Sequence, residues 1–183
     1  MRVIPVCLLA VLPFEAQTIS AGLKVGVPLT ALVTANSPGY QASTRRYTLG
    51  PAIELKLVHR LALEAGALYK RLEFGYSGAG SSAGRWEFPF LVKYRFRGWL
   101  WRPFVGAGAS LNWVNGSGGR FAELRHGSAV GIVAGTGIET RLGRLRLAPE
   151  VRFTRWADRN LGVRDASLRS SLTQAEILAG LTF

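Results

Sequence analysis

The sequence of 183 residues has one cysteine, two histidines and one methionine. The cysteine, Cys7, lies in the first apolar segment, so a chain that loses this segment has neither disulfides nor thiol chemistry. Histidines, aspartates and glutamates do not cluster at metal-ligand spacing, and no cofactor is expected. Acidic residues number 11 against 23 Lys and Arg, and the resulting net charge of +12 favours anionic partners.

The basic residues are spread along the chain and form no Lys/Arg-rich run. Zinc spacing and a helix-turn-helix pattern are also missing, so we expect no nucleic-acid partner. After residue 17 no run of about 18 apolar residues occurs, and no transmembrane helix is predicted. The hydrophobic content of 48% is nevertheless too high for a disordered chain.

The first segment, MRVIPVCLLAVLPFEAQ, is typical of an export signal. It has one Arg and an apolar stretch from Val3 to Leu12, which is too short to span a bilayer. We predict a signal peptide at residues 1–16 with cleavage near Ala16, and one domain at 17–183. A buried N-terminal strand is the alternative reading of the same segment.

Eight segments alternate between apolar and polar positions, which is the pattern of half-buried strands. They are ISAGLKVGVP, YTLGPAIELKL, LALEAGALYK, WEFPFLVKYRF, WRPFVGAGASLNW, VGIVAGTGIETR, RLRLAPEVRFTRW and QAEILAGLTF. Tight turns are predicted around His59, Gly98 and Gly143, and the other connections are long loops rich in Gly, Ser and Asn. The sequence therefore predicts an all-β fold: an eight-stranded antiparallel up-and-down transmembrane β-barrel.

Alternation alone leaves open which face is wet. A soluble lipocalin-like barrel would fill its interior with the apolar set, whereas a membrane barrel would turn that set to lipid. Glycines fall on the charged set, where they make room for long side chains in a narrow lumen. They are Gly22, Gly26, Gly50, Gly66, Gly106, Gly108, Gly131, Gly135, Gly137 and Gly180.

The charged set also carries six glutamates among lysines and arginines, which a low-dielectric lumen would require to pair. The predicted lumen charge network, a structural feature, consists of Lys24, Glu54, Lys56, Glu64, Glu87, Lys93, Arg95, Arg102, Glu139, Arg141, Arg146, Glu150, Arg152 and Glu176, with Lys70 on the same face. We expect this network to plug the lumen and not to line an ion path.

Aromatic residues of the apolar set lie near strand ends, as in the girdles of membrane barrels. They are Tyr47, Tyr69, Trp86, Tyr94, Phe96, Trp101, Trp113 and Phe183. Four prolines fall inside predicted strands, where they indicate bulges or weakened pairing: Pro51, Pro89, Pro103 and Pro149.

Six motifs, GLKVGVPL, GPAIELKL, EAGALYKRLEF, WEFPFLVKYRF, RPFVGAGASLNW and AEILAGLTF, carry a resemblance over residues 18–183. The chain resembles the small outer-membrane β-barrel family, the OmpA/OmpX-like group and its PorT-like relatives. The resemblance implies that Phe183 is the signal read by the barrel-assembly machinery. Family members serve as anchors, adhesins or small channels, so the resemblance implies location and fold more than activity.

Catalysis on such a barrel would need a His, a Ser and an acid near the loop-side rim. His126 and Ser128, with Asp158 or Asp165, form a conceivable triad but lack the motifs of the lipid-modifying barrel enzymes. His59 lies in a predicted tight turn, where a solvated role is expected.

The primary hypothesis is a non-enzymatic barrel with a structural or surface-interaction role, in the outer membrane of a Gram-negative-type bacterium. Its expected partners are outer-membrane lipid, lipopolysaccharide facing basic loops, and the barrel-assembly machinery, and we expect a monomer. The alternative is a soluble periplasmic lipocalin-like barrel that binds an apolar ligand, and a lipid A-modifying enzyme at the rim is third.

Overall fold

The computed structural model describes residues 19–31, 33–35, 40–76, 79–116, 128–158 and 168–183. The predicted signal peptide, residues 1–16, lies outside them. The strands are β1 (Ile19–Pro28), β2 (Val33–Ala35), β3 (Tyr40–Val58), β4 (Leu61–Gly66), β5 (Leu68–Tyr76), β6 (Ala79–Arg95), β7 (Trp101–Gly116), β8 (Ser128–Leu142), β9 (Leu145–Trp156), β10 (Leu168–Ser170) and β11 (Thr173–Thr182). None of the described residues belongs to a helix long and apolar enough to cross a membrane.

Nine of these strands form one closed antiparallel sheet. Its order is β1, β11, β9, β8, β7, β6, β4 with β5, and β3, and β1 pairs with both β11 and β3. Because β4 and β5 follow one another along a single barrel strand, the sheet is an eight-stranded up-and-down barrel. Closure pairs both sides of every barrel strand, so the sheet has no free edge. The predicted fold class is confirmed.

Short turns join the strands at one end of the barrel, the turn side. These turns lie at 59–60, 96–100 and 143–144, as predicted. Gly143 has a φ of 64°, which a two-residue hairpin turn requires at its first central position and which glycine adopts without steric cost. The other connections leave the opposite end, the loop side.

The strands extend further toward the loop side than the alternation predicted. β3 begins at Tyr40, β5 ends at Tyr76 and β6 begins at Ala79. Most of the predicted loop GYSGAGSSAG is therefore paired strand. A second difference is the two-stranded sheet of β2 and β10, which joins segments predicted as the first and fourth long loops. Both differences come from backbone pairing, which a hydrophobic pattern does not report.

Two of the strand prolines explain why β4 and β5 are separate. The break falls at Ala67, whose backbone N–H donates to the carbonyl oxygen of Pro51 on β3 at 3.0 Å. On the other side, the β6 partners of β4 end at Phe90 and those of β5 begin at Glu87, which leaves Pro89 in the gap. Proline has no N–H to give to a neighbouring strand, so pairing is weakened from both sides.

The other two prolines flank one position of β8. Pro103 on β7 lies opposite Ile138, and the ladder between β8 and β9 lacks pairs at Ile138 and Glu139, opposite Pro149. Pro103 keeps the register of its ladder, so weakened pairing is visible at Pro149 and not at Pro103.

The barrel is inverted relative to a soluble protein. Among the described residues, seventeen polar or charged residues are buried against eleven hydrophobic ones. Large apolar side chains such as Ile19, Ile132 and Trp113 are 71%, 71% and 63% exposed on the outer surface. The apolar set therefore faces out and the charged set faces the lumen, as the positions of the glycines indicated. A soluble barrel with an apolar ligand inside is incompatible with this arrangement, because its binding cavity would need the opposite sidedness.

Two inward glycines differ in the room around them. A Cβ at Gly108 would overlap the carbonyl oxygen of Phe90 on the neighbouring strand, whereas the nearest atoms to a Cβ at Gly180 are 3.6 Å away. We expect Gly108→Ala to lower the free energy of unfolding by about 1–3 kcal/mol, because the neighbouring backbone must move. Gly180→Ala should stay within about 0.5 kcal/mol of the wild type. Urea unfolding of both variants in lipid vesicles, followed by tryptophan fluorescence, checks this, and equal losses would contradict it.

Candidate functional site

The charged lumen is the candidate site, and its side chains form three clusters along the barrel axis. The central cluster contains Lys24, Glu64, Lys93, Glu150 and Arg152, which are at most 4% exposed. The turn-side cluster contains Ser20, Glu54, Arg95, Glu139 and Arg146. The loop-side cluster contains Thr48, Lys70, Arg85, Glu87, Ser110, Trp156 and Glu176.

Glu64 is the most connected residue of the central cluster. Its Oε1 accepts from Lys24 Nζ at 2.5 Å and from Arg152 Nη2 at 2.9 Å, and its Oε2 is 2.5 Å from Lys93 Nζ. Lys24 Nζ and Arg152 Nε also donate to Glu150, at 2.7 and 2.8 Å. Two carboxylates thus neutralise most of three cations in a space without solvent, which is the condition for burying charge.

The central pairs cross the lumen. Glu64 is on β4 and Arg152 on β9, and these strands are four apart in a barrel of eight, so they are on opposite walls. Lys24 joins the same two walls from β1. Side chains from opposite walls thus meet in the middle of the lumen, as the narrow radius of an eight-stranded barrel allows.

The turn-side cluster lies at the end of the lumen near the short turns. Arg95 pairs with Glu54 and, through Nε at 2.8 Å, with Glu139. Arg146 donates to Glu54 Oε1 and to Ser20 Oγ, each at 2.8 Å. These residues come from β1, β3, β6, β8 and β9, which are spaced around the barrel, so this cluster also ties distant walls together.

The loop-side cluster is built on Lys70, whose Nζ lies 2.7 Å from Glu87 Oε2 and 2.9 Å from Glu176 Oε2. Ser110 Oγ donates to Glu87 at 3.4 Å, and Thr48 Oγ1 donates to Glu176 at 3.3 Å. The cluster joins β5 and β6 to β11.

Arg85 belongs to the same cluster and has a different partner. Its guanidinium lies over the ring of Trp156, 4.8 Å from the centroid, in cation–π geometry. Arg85 is 3% exposed, and its Nε and Nη2 have no hydrogen-bond acceptor among the described residues. Lys93 also lies over an aromatic ring, that of Phe104 at 4.3 Å from the centroid, but it pairs with Glu64 as well.

Eleven of the fourteen predicted network residues lie in these clusters, and Lys70 joins them. The structure does not bring Lys56, Arg102 and Arg141 into the network. They are exposed near the turn side, where alternation still gives an inward position but the strand has already left the lumen. Arg102 Nε instead reaches the carbonyl oxygen of Gly98 at 3.4 Å. For these three residues the prediction was wrong.

Arg85 is a lumen residue that the predicted strands did not include. It lies two residues before Glu87 and therefore on the same face, but the predicted strand began at Trp86. A predicted strand that began one residue earlier would have included Arg85 on the inward face.

The residues of the conceivable catalytic triad are only partly described. Ser128 begins β8 and Asp158 follows β9, and both are exposed at the loop side, whereas His126 and Asp165 lie outside the described residues. His59 is exposed in the turn between β3 and β4. In the described part of the chain, no group of three or more His, Cys, Asp or Glu residues has metal-binding geometry.

No known protein-family model matches the sequence, and no curated protein matches it. Solved structures do match. Neisserial surface protein A aligns with a TM-score of 0.59 and 15% identity over 92% of this chain and 98% of that chain. The outer membrane protein OprG from Pseudomonas aeruginosa aligns with a TM-score of 0.57 and 12% identity over 90% of this chain and 92% of its own. The outer membrane protein AlkL, solved in lipid bilayers, aligns with a TM-score of 0.55 and 18% identity over 91% of this chain and 90% of that chain.

The chain therefore has the fold of the small eight-stranded outer-membrane β-barrels. The resemblance drawn from its motifs is confirmed at the level of fold. At these identities the likeness does not extend to what the neighbours bind or do.

Removing the carboxylate of Glu64 should have a large effect on stability. Glu64→Gln leaves three buried cations with one remaining carboxylate, and we expect the free energy of unfolding to fall by about 3–5 kcal/mol. Asp158→Asn makes the same change of charge at an exposed position and should cost less than about 0.5 kcal/mol. Lys93→Met, which leaves Glu64 with two cations, should fall between them. Denaturant unfolding of the three variants in vesicles checks this order, and similar costs for Glu64→Gln and Asp158→Asn would contradict it.

Proposed function

We propose that the protein is a non-enzymatic integral β-barrel of a bacterial outer membrane, with a structural or surface-interaction role. The observation that supports this proposal is the apolar outer surface of the barrel together with its charged lumen. A closed apolar outer surface around a charged interior is unfavourable in water and favourable in lipid, because lipid takes up the exposed apolar side chains. Residues 1–16 are, in this proposal, the signal that exports the chain.

The aromatic residues support the proposal because they form two belts on the outer surface. Tyr47, Trp86 and Trp113 lie toward the loop side, and Phe96 and Trp101 lie toward the turn side. Trp86 and Phe96 are ten residues apart, which corresponds to about 33 Å along a strand at roughly 3.3 Å per residue. With a tilt of about 40° this distance is about 25 Å along the barrel axis, the height of the apolar band in membrane barrels.

The ion-paired lumen supports a role other than solute passage. All three clusters tie strands from different walls, and their charged groups are paired with one another at 2.5–2.9 Å in most contacts. An ion path would need mobile or solvated charges along the axis, and here the charges satisfy each other. The lumen in this proposal is a plug that holds the barrel together.

The position of Phe183 supports a role for this residue in assembly of the barrel. Its side chain is 72% exposed on the outer surface, and its backbone N–H donates to the carbonyl oxygen of Ala21 at 3.1 Å. The last residue therefore lies at the seam where β11 meets β1 and closes the barrel. We infer that the barrel-assembly machinery recognises this terminal aromatic residue. The remaining partners in the proposal are outer-membrane lipid and lipopolysaccharide, the latter facing the arginines of the long loop segments.

Membrane fractionation and gel mobility test the proposed function directly. We expect the protein in the outer-membrane fraction after separation of the two membranes, resistant to extraction by carbonate. An unheated sample should migrate differently from a boiled one, because a closed barrel resists detergent until it is heated. Recovery in the soluble fraction, with one band position before and after boiling, would refute the proposal.

Deletion of Phe183 should slow assembly more than it weakens the finished barrel. The residue adds one backbone hydrogen bond to the seam, whereas its loss removes the proposed recognition signal. We expect a lower rate of appearance of the heat-modifiable band in cells and a change below about 1 kcal/mol in the unfolding free energy of purified protein. Phe183→Trp, which keeps an aromatic terminus, is the control and should assemble normally. Equal assembly rates for the deletion and the wild type would contradict the assignment.

A further inference from the structure

The turn side of the barrel carries a basic surface that the lumen network does not use. Five cations are exposed there: Lys56, Arg97, Arg102, Arg141 and Arg144. They lie in the turns between β6 and β7 and between β8 and β9, or within three residues of a turn, so they form a ring around the end of the barrel. We call this ring, with the aromatic and apolar residues described next, the turn-side rim.

Acidic side chains do not balance the turn-side rim. The two glutamates nearest to it, Glu54 and Glu139, are 7% and 4% exposed and are already paired with Arg95 and Arg146. Asp158, an exposed acid, lies at the opposite end of the barrel. Among the described residues, no aspartate or glutamate side chain is exposed at the turn side.

Apolar side chains alternate with the cations in the rim. The turn between β6 and β7 exposes Trp99 completely, and Leu100 and Trp101 are each 57% exposed. Arg97 and Arg102 flank this group on either side. Indole rings beside guanidinium groups suit the interface of a bilayer, where the ring enters the headgroup layer and the cation meets phosphate.

A pocket lies inside the rim and has the same mixed character. It has a volume of ≈ 180 Å³ and is lined by Trp99, Leu100, Arg102, Glu139, Arg141 and Arg146. Because Arg146 and the buried Glu139 already have partners, the exposed Arg102 and Arg141 are its unneutralised groups. Two guanidinium groups beside an indole ring provide donors for a phosphate and an apolar wall for the lipid attached to it.

We propose that the turn-side rim binds the headgroups of acidic phospholipids in the membrane leaflet that it faces. This inference rests on the proposed membrane location. The charge of the rim complements an anionic headgroup, and its aromatic residues continue the turn-side belt of Phe96 and Trp101 without a break. A soluble acidic protein would match the charge alone and would leave Trp99 and Leu100 exposed to water. The occupant is therefore a lipid, held through its phosphate.

The selectivity of the barrel for lipid headgroups tests this proposal. The full barrel is folded into phosphatidylcholine vesicles that contain a trace of spin-labelled phosphatidylglycerol or spin-labelled phosphatidylcholine. Electron paramagnetic resonance then gives the relative association constant of the two labelled lipids at the protein surface. Since one arginine at an anionic surface contributes about fivefold in association, we expect a preference of about fivefold for phosphatidylglycerol at low salt. It should fall toward one in about 0.5 M salt because exposed charges are screened.

Two variants that lose four charges each locate the selectivity. The first carries Arg97→Gln, Arg102→Gln, Arg141→Gln and Arg144→Gln, and we expect it to lose the preference. The matched control carries Arg120→Gln, Arg125→Gln, Arg159→Gln and Arg164→Gln, in the long loop segments, and should keep most of it. Where the first variant does not fold, Arg97→Gln with Arg144→Gln changes only turn residues and should lower the preference about halfway.

The outcomes separate this inference from the proposed function. A barrel that gives no heat-modifiable band in vesicles contradicts the membrane location itself. A folded wild type without preference for phosphatidylglycerol overturns the inference alone, as does a preference that survives in the turn-side variant. Equal loss in both variants would assign the preference to overall net charge and would also overturn it.

Discussion

The radius of an eight-stranded barrel is the constraint on which the rest of the structure depends. Closure of eight strands leaves a lumen that is only wide enough for side chains. Every inward position must therefore fit a neighbour from another wall, and every inward charge must find an opposite charge within reach. Glu64, on β4, meets Lys24 on β1 and Arg152 on β9 because side chains from these walls are long enough to span the narrow lumen. Glycines at other inward positions keep the cross-section free for these long side chains, at the cost of strand propensity.

This constraint also explains why a charged interior is compatible with a stable fold. An isolated buried charge would cost several kcal/mol, but shared carboxylates lower this cost because five of the seven lumen cations each lie within 4 Å of two carboxylates. The apolar side chains face outward, where in the proposed membrane location they contact lipid instead of packing into a core. In this barrel the specificity of side-chain contacts therefore lies in polar pairs, whereas in most soluble proteins it lies in apolar packing. The register of the strands follows, since a shift of one residue would turn Glu64 and its partners outward.

The sequence predicted what depends on period and composition, and missed what depends on three-dimensional position. The alternation gave the strands, the short turns and the inward face, because side-chain direction repeats every two residues. Alternation shows which face of a strand a side chain is on, but not how far along the barrel axis it lies. Lys56 and Arg141 were therefore predicted to be in the lumen, although the lumen ends before them. Arg85 was missed for a related reason, because the strand continues into a segment with the composition of a loop. The break at Ala67 needed the sheet order, since only pairing shows that Pro51 and Pro89 flank it.

The distribution of charge indicates where function resides. The described lumen contains seven cations and six glutamates, so it accounts for about one unit of the chain's net charge of +12. Its one cation outside the carboxylate pairs, Arg85, is placed against Trp156. Nearly all of the excess positive charge is therefore outside the lumen, and an apolar outer wall has no place for it between the two aromatic belts. Among the described residues, five of these positive charges are exposed at the turn side, on Lys56, Arg97, Arg102, Arg141 and Arg144. A paired interior and a basic turn side therefore favour the proposed role, interaction at the membrane surface, over conduction through the centre.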